Sequence, residues 1–91
     1  MNKKRDRLEV IYDVLDIVRK NNNSIKPTPL LRKSNLSSQS FSEYLKELLD
    51  KEFLKEMNNK KERKCYTLTD KGFSYLEKYQ AIIGFINDFE L

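Results

Sequence analysis

Apolar residues recur at helical spacing over the first twenty positions of the chain. Four of them, separated by 3, 4 and 3 residues, mark one face of an α-helix: Leu8, Ile11, Leu15 and Val18. The pattern predicts a first helix over about 6–20. Three asparagines and a serine follow at 21–24, and these residue types end the helix because they favour turns and caps.

A short second helix is predicted next to two prolines. Pro29 suits the first position of a helix, because its missing N–H would have no partner there, and Thr28 before it is a good N-cap. The second helix therefore covers about 29–34. Asn, Leu and Ser at 35–37 then form a tight turn with an apolar residue at its centre.

A third helix follows the turn, and the prediction gives it the range of about 37–51. Ser37 or Ser38 caps its start. Its inward stripe has the spacing i, i+4, i+7, i+8 and consists of Phe41, Leu45, Leu48 and Leu49. Polar side chains occupy the opposite face of this helix.

Two short strands joined by a basic loop are predicted after the third helix. The strand segments are 53–54 and 66–68. The polar stretch 57–64 lies between them and contains no glycine, but Asn58 and Asn59 can adopt the positive φ that a tight hairpin needs. Two helices, a tight turn and a basic hairpin together suggest a winged helix-turn-helix.

The last predicted helix, about 71–89, carries two apolar strips. Thr69 or Asp70 caps it, and its length is roughly 28 Å. One strip has the 4, 3, 4, 3 spacing of a coiled-coil seam: Tyr75, Tyr79, Ile82, Ile86 and Phe89. The adjoining strip consists of Phe73, Leu76 and Ile83. Because so small a domain can cover only the adjoining strip, the seam predicts a homodimer.

Composition narrows the function classes. The chain has 91 residues, a single-domain length, with no histidine and one cysteine, Cys65. These counts exclude an intramolecular disulfide, a Cys–His zinc site and catalytic triads that depend on histidine. No glycine-rich phosphate loop or carboxylate cluster indicates an enzyme. We therefore expect no catalytic residues, cofactor, metal or small-molecule ligand, and Cys65 has no assigned role.

Charge is distributed unevenly along the chain. There are 18 Lys and Arg against 14 Asp and Glu, a net charge of +4 that is compatible with a nucleic-acid partner. One basic cluster opens the chain (Lys3, Lys4, Arg5 and Arg7), and a second lies in the predicted loop (Lys60, Lys61, Arg63 and Lys64). No run is long and apolar enough for a membrane span. We expect a soluble cytoplasmic protein associated with the nucleoid.

The order of these motifs resembles that of the archaeal ArnR-like winged helix-turn-helix proteins. Their relatives include small basic chromatin proteins that dimerise through a C-terminal antiparallel coiled coil. The matching residues are 35–37 at the turn, Tyr44, Leu45 and Leu48 in the third helix, and 68–69, 71–72, Tyr75, Leu76 and Tyr79 around the last helix. The family usually has glycine where this chain has Glu52, and a left-handed conformation at Glu52 would cost about 1 kcal/mol more than at glycine.

The resemblance implies a mainly α fold with a small β-hairpin. A winged helix-turn-helix domain over 1–70 would be followed by a C-terminal dimerisation helix over 71–91. The implied function is homodimeric binding of double-stranded DNA, either as a transcriptional regulator or as an architectural protein. The third helix would enter the major groove as the recognition helix, and the wing, about 57–64, would contact the backbone or the minor groove.

Side-chain chemistry identifies the candidate DNA contacts. On the exposed face of the recognition helix, Gln39 can pair with adenine, Lys46 with guanine, and Glu43 can accept from cytosine, with Ser40 and Ser42 at the flanks. Other residues are candidates for phosphate contacts. Ser37 and Ser38 would bind phosphate through hydroxyl and backbone N–H groups, and the cationic candidates are Arg32, Lys33, Lys60, Lys61, Arg63 and Lys64.

Three carboxylates on the same helix oppose DNA binding, because they repel phosphates: Glu43, Glu47 and Asp50. Pairing of Glu43 with Lys46 and of Glu47 with Lys51 would neutralise part of this charge. A second function class also stays open. In that alternative, the chain is a winged-helix module that docks a protein partner through its apolar C-terminal helix.

Overall fold

The computed structural model describes residues 5–91, which form four helices and one two-stranded antiparallel sheet. The elements in chain order are α1 (Arg7–Lys20), α2 (Pro27–Ser34), α3 (Ser38–Asp50), β1 (Leu54–Asn58), β2 (Lys64–Leu68) and α4 (Asp70–Asp88). α2 and α3 form the helix-turn-helix, and the β1–β2 hairpin is the wing. The predicted fold class is confirmed. None of these helices combines the length and hydropathy that a membrane crossing requires.

One hydrophobic core holds the elements together. α1 supplies five of its buried side chains: Val10, Ile11, Val14, Leu15 and Val18. The other elements and the segment before α2 add Ile25, Leu30, Phe41, Leu48, Leu54, Tyr66, Leu68 and Leu76. Burial of a large aliphatic side chain contributes roughly 1.5–3 kcal/mol, so this cluster is the main source of stability.

Side-chain caps set the starts of three helices. Asp6 accepts from the Glu9 N–H at 2.8 Å, and Ser37 Oγ accepts from the Ser40 N–H at 3.1 Å. Thr69 Oγ1 accepts from the Gly72 N–H, also at 3.1 Å. Each cap satisfies one of the N–H groups that lack a partner in the first helical turn.

The start of α2 differs from the prediction. α2 begins at Pro27 with Lys26 as its N-cap, and no side chain caps it. Thr28 is therefore inside the helix, and Pro29 is its third residue rather than its first. Both prolines are accommodated because the N–H groups of the first turn have no intrahelical partner to lose.

The turn between α2 and α3 is tied to the N-terminal part of the chain. Asn35 adopts a left-handed conformation with φ 59°, and the buried Ser34 donates its hydroxyl to the Leu31 carbonyl at 2.7 Å. Arg5 donates to the Ser34 carbonyl oxygen at 3.0 Å and pairs with Asp13 of α1 at 2.9 Å. The end of α2 is thereby fixed relative to α1.

The hairpin is longer than predicted and turns differently. Its register runs from Leu54 opposite Leu68 to Asn58 opposite Lys64. The positive φ falls on Glu62, at 57°, and not on Asn58 or Asn59. Asn59 stabilises the loop instead, because its side-chain oxygen accepts from the N–H groups of Lys61 and Arg63 at 2.9 and 3.0 Å.

The N-terminal half of α4 packs on α1. The Tyr75 hydroxyl donates to the Leu8 carbonyl oxygen at 2.8 Å, and the rings of Tyr12 and Tyr79 stack with centroids 4.6 Å apart. Burial and the neighbouring Tyr79 raise the pKa of Tyr75 to about 12, so its hydroxyl stays a proton donor. Tyr75 and Tyr79, the first two residues of the predicted seam, are thus half-buried against α1. Phe73 and Ile83 of the adjoining strip, which was expected to be covered, are exposed.

Candidate nucleic-acid interface

The outer face of α3 is polar and accessible. Phe41 and Leu48 are buried against the core, which directs the opposite side of the helix outward. Four of the predicted contact residues are exposed on that side, and Ser40 is half-buried: Gln39, Ser42, Glu43 and Lys46 are the exposed ones. Side chains three or four residues apart share a helix face, so these four form one continuous surface.

The start of α3 offers hydrogen-bond donors. Ser37 Oγ accepts from the Ser40 N–H, which leaves its own hydroxyl proton available to donate. The first N–H groups of α3, beginning with that of Ser38, have no intrahelical partner. Both serines are exposed. This end of the helix can therefore bind an anionic oxygen such as that of a phosphate.

Two carboxylates of α3, Glu43 and Glu47, differ in their ion pairing. Glu47 forms ion pairs with Arg7 and, as predicted, with Lys51, whose Nζ lies 2.8 Å away. The predicted pair between Glu43 and Lys46 does not form, and no ion pair within residues 5–91 involves Glu43. Glu47 is thus neutralised, and Glu43 keeps its charge exposed.

The wing presents a cluster of cations. Lys60, Lys61 and Arg63 lie exposed in the loop at 59–63, and they have no ion-pair partner in the described part of the chain. Lys64 lies on β2, and its Nζ is 3.7 Å from a Glu56 carboxylate oxygen on β1. The positive charge of the wing is therefore concentrated at its tip, beside the single acidic side chain of Glu62.

The cations outside the wing are of two kinds: predicted phosphate contacts at the end of α2, and the basic cluster at the start of the chain. Arg32 and Lys33 are exposed at the end of α2, and Lys33 Nζ is 3.4 Å from the side-chain oxygen of Asn21. Arg5 and Arg7 of the N-terminal cluster are engaged by carboxylates, as described above. Lys3 and Lys4 lie outside the described residues.

The C-terminal half of α4 exposes apolar side chains. Ile82, Phe85 and Phe89 are 56%, 57% and 64% exposed, and the rings of Phe85 and Phe89 are 4.9 Å apart. Leu8 of α1 is exposed beside the start of this stripe, in a groove shared with Ile82. Leu8 was predicted on the apolar face of the first helix but is exposed. Phe85 was in neither predicted strip of the last helix, although it is three residues from Ile82 and four from Phe89, within the helical spacing that defines a face.

Comparisons with known proteins agree with this architecture. The family model described as winged helix-turn-helix matches residues 4–86. An uncharacterized protein of Methanocaldococcus jannaschii is 34% identical over 83 residues, which cover 91% of this chain. The chain spans only 36% of the length of that relative.

Three solved structures have a similar fold. Sso10a-2, a DNA-binding protein from Sulfolobus solfataricus, gives a TM-score of 0.74 at 20% identity, over 94% of this chain and 86% of that one. F93 from STIV, a winged-helix DNA-binding protein, gives 0.73 at 20% identity, over 88% and 91%. A mutant MarR from E. coli, complexed with operator DNA, gives 0.71 at 20% identity, over 81% and 54%. These likenesses establish the fold.

Proposed function

The chain belongs to the winged helix-turn-helix family, and we propose that it is a homodimer that binds double-stranded DNA. The observation that carries the proposal is the wing, where Lys60, Lys61 and Arg63 are exposed without an ion-pair partner in the described chain. Asn59 braces the loop with two hydrogen bonds to its backbone. A preorganised cationic loop fits the phosphate backbone, which dominates the affinity of proteins for DNA. Similar folds in proteins described as DNA-binding support this reading.

The recognition helix in this proposal is α3, inserted into the major groove. Its outer face carries the base-reading groups Gln39 and Lys46, which suit adenine and guanine respectively. Ser37 and Ser38 contact a phosphate at the edge of the groove, and Arg32 and Lys33 contact the backbone nearby. The wing tip meets the flanking backbone or the minor groove.

The dimer interface in this proposal is the C-terminal half of α4. Tyr75 and Tyr79 already contact α1, so Ile82, Ile86 and Phe89 carry the seam with the addition of Phe85. Exposed aromatic and aliphatic side chains at this density on one helix face are typical of an interface. A dimer would present two recognition helices, one for each half of a two-fold site.

Salt-dependent binding tests the DNA proposal directly. The full chain is titrated with a set of random duplexes at several salt concentrations. We expect binding whose logarithmic affinity falls linearly with the logarithm of salt, because phosphate contacts release condensed counterions. Absence of binding at low salt would reject the function.

A selection from random duplexes separates the two roles within this proposal. An enriched motif indicates a transcriptional regulator with an operator. Retained binding without a motif indicates an architectural protein of the nucleoid. The affinity of a regulator for its operator exceeds its non-specific affinity by typically 10³ or more, which the selection detects readily.

The second candidate is a protein-interaction module, and the exposed apolar stripe of α4 favours it. In that case α4 docks a different protein through Ile82, Phe85 and Phe89. The module would show no salt-dependent affinity for duplex DNA, and it would remain monomeric until its partner is added.

A further inference from the structure

We propose that Glu43 is the residue that makes DNA binding selective, by accepting a hydrogen bond from the N4 amino group of a cytosine in the major groove. This inference rests on the proposed function and deepens it. It assigns a preferred base, cytosine, and a residue that lowers the affinity for DNA without cytosine at the contacted position. Two carboxylates on α3, Glu43 and Glu47, lie in different environments.

Glu47 cannot carry such a role. Its carboxylate is bound by Arg7 from α1 and by Lys51 from its own helix, so its charge is satisfied within the protein. The depression between α1 and α3 is lined by Arg7, Glu43, Tyr44 and Glu47, and within it Arg7 pairs with Glu47. Arg7, the cation of α1 that lines this depression together with Glu43, is therefore already paired.

Glu43 has the opposite character. It is exposed on the same face as Gln39 and Lys46, and among residues 5–91 no cation pairs with it, not even Lys46 three positions further on. On entering the major groove, this carboxylate loses water and approaches two phosphate strands of the same charge. A carboxylate in that position is unfavourable unless a base donates a hydrogen bond to it.

Cytosine and adenine both present an amino donor on the major-groove edge, but in adenine it lies beside the N7 acceptor, which repels a carboxylate, so cytosine is the better partner for Glu43. Glu and Asp are the side chains that accept from the N4 amino group of cytosine. Thymine presents an acceptor and a methyl group at the same place, which would leave the carboxylate unsatisfied. Glu43 therefore disfavours random DNA and favours a site with cytosine at one defined position.

The test compares the wild type with Glu43→Ala and Glu43→Gln, with Glu77→Gln as the matched control. Glu77 is an exposed carboxylate on α4, outside the proposed interface, so its variant makes the same change in net charge. Circular dichroism checks that each variant folds. Duplex selection is run on the wild type and on all three variants in parallel, followed by affinity measurements on the selected site and on random duplexes.

In Glu43→Ala we expect a gain of affinity for random duplexes together with a loss of base preference. Glu43→Ala should bind random duplexes several-fold more tightly and lose its preference for cytosine over thymine, which in the wild type should be about 5- to 150-fold. Glu43→Gln should shift the preferred base toward adenine, with which Gln pairs. Glu77→Gln should leave the base preference unchanged.

Three results would overturn the inference while leaving DNA binding intact. They are a wild type that enriches no motif, an unchanged motif in Glu43→Ala, and an equal change of affinity on selected and random duplexes. Failure of the wild type to bind any duplex would instead reject the proposed function itself. The two failures are therefore distinguishable.

Discussion

At the scale of single residues, Glu52 shows a side chain in a conformation that favours glycine. Its φ is 63°, and it directly follows the last turn of α3. The N–H of Glu52 bonds to the Leu49 carbonyl at 3.1 Å, and that of Phe53 bonds to the Leu48 carbonyl at 2.9 Å. This pair of bonds is the Schellman ending, which requires a left-handed residue at this place.

Replacing Glu52 with Gly should stabilise the protein by about 1 kcal/mol, because the left-handed conformation loses its steric cost. Urea unfolding monitored by circular dichroism measures the change. Glu52→Ala is the control, since it removes the charge but keeps the Cβ, and it should give little of the gain. Equal stabilisation by Ala and Gly would show that charge, not backbone conformation, is responsible.

The two glycines form a contrasting pair. A Cβ on Gly72 would collide with the Phe53 carbonyl oxygen and lie 3.0 Å from the Leu68 side chain, whereas a Cβ on Gly84 would meet nothing within 4 Å. Gly72→Ala should destabilise the protein by roughly 1–3 kcal/mol through overpacking. Gly84→Ala should stabilise it by roughly 0.5–1 kcal/mol through helix propensity. Thermal unfolding of both variants checks the opposite signs.

Sequence reasoning reaches some of these residues and misses others for a physical reason. The left-handed conformation at Glu52 was suggested by the family resemblance, because the resembling proteins usually have glycine at this position. The contact of Gly72 with Phe53 and the hydrogen bond from Arg5 to Ser34 join positions 19 and 29 residues apart. Such contacts form only in the packed fold, so a local sequence pattern cannot predict them.

At the scale of elements, the wing gives the clearest separation of roles. Changing Lys61 and Arg63 to Ala should weaken binding to all duplexes alike and flatten the slope of log affinity against log salt by about two per protomer. A salt titration on selected and random duplexes measures it. Lys64→Ala is a useful comparison, because Lys64 already has Glu56 within 3.7 Å and should change the slope less. An unchanged slope in the double variant would remove the wing as a backbone contact.

Element boundaries were predictable where one signal dominated. α1, α3 and α4 have strong apolar periodicity and polar caps, and their predicted ends agree with the structure to within one or two residues. α2 offered two prolines compatible with its first turn, so Thr28 was mistaken for the cap. β1 has exposed side chains at every position after Leu54, so no alternation revealed its length. The pairing of Ile25 with Tyr66 is long-range and left no local signal.

At the scale of the whole molecule, α4 joins the recognition unit to the proposed dimer interface. Its start is bound to the end of α3, since Lys71 Nζ donates to the Lys51 carbonyl at 2.8 Å and Thr69 Oγ1 donates to the Glu52 carbonyl at 2.5 Å. Its other end carries the exposed apolar stripe. In the proposed dimer, these contacts would help to set the distance between the two recognition helices, and therefore the spacing of the half-sites that the protein can bind.

The dimer itself is tested on the C-terminal half of α4, where Ile82 is exposed and Ile86 is half-buried. Replacing Ile82 and Ile86 with Glu would place unpaired charge in a buried seam, which costs several kcal/mol, so the double variant should sediment as a monomer. Asn87→Glu is the matched control, because it adds a carboxylate on the same turn of α4 but about 100° away from Ile86 around the helix. The control should remain dimeric.

A double variant that stays dimeric would place the interface elsewhere, and a wild type that is monomeric at high concentration would contradict the proposed dimer. Since the affinity of a dimer for a two-fold site depends on both recognition helices, the monomeric variant should also bind a selected site far more weakly while keeping its contact with single half-sites.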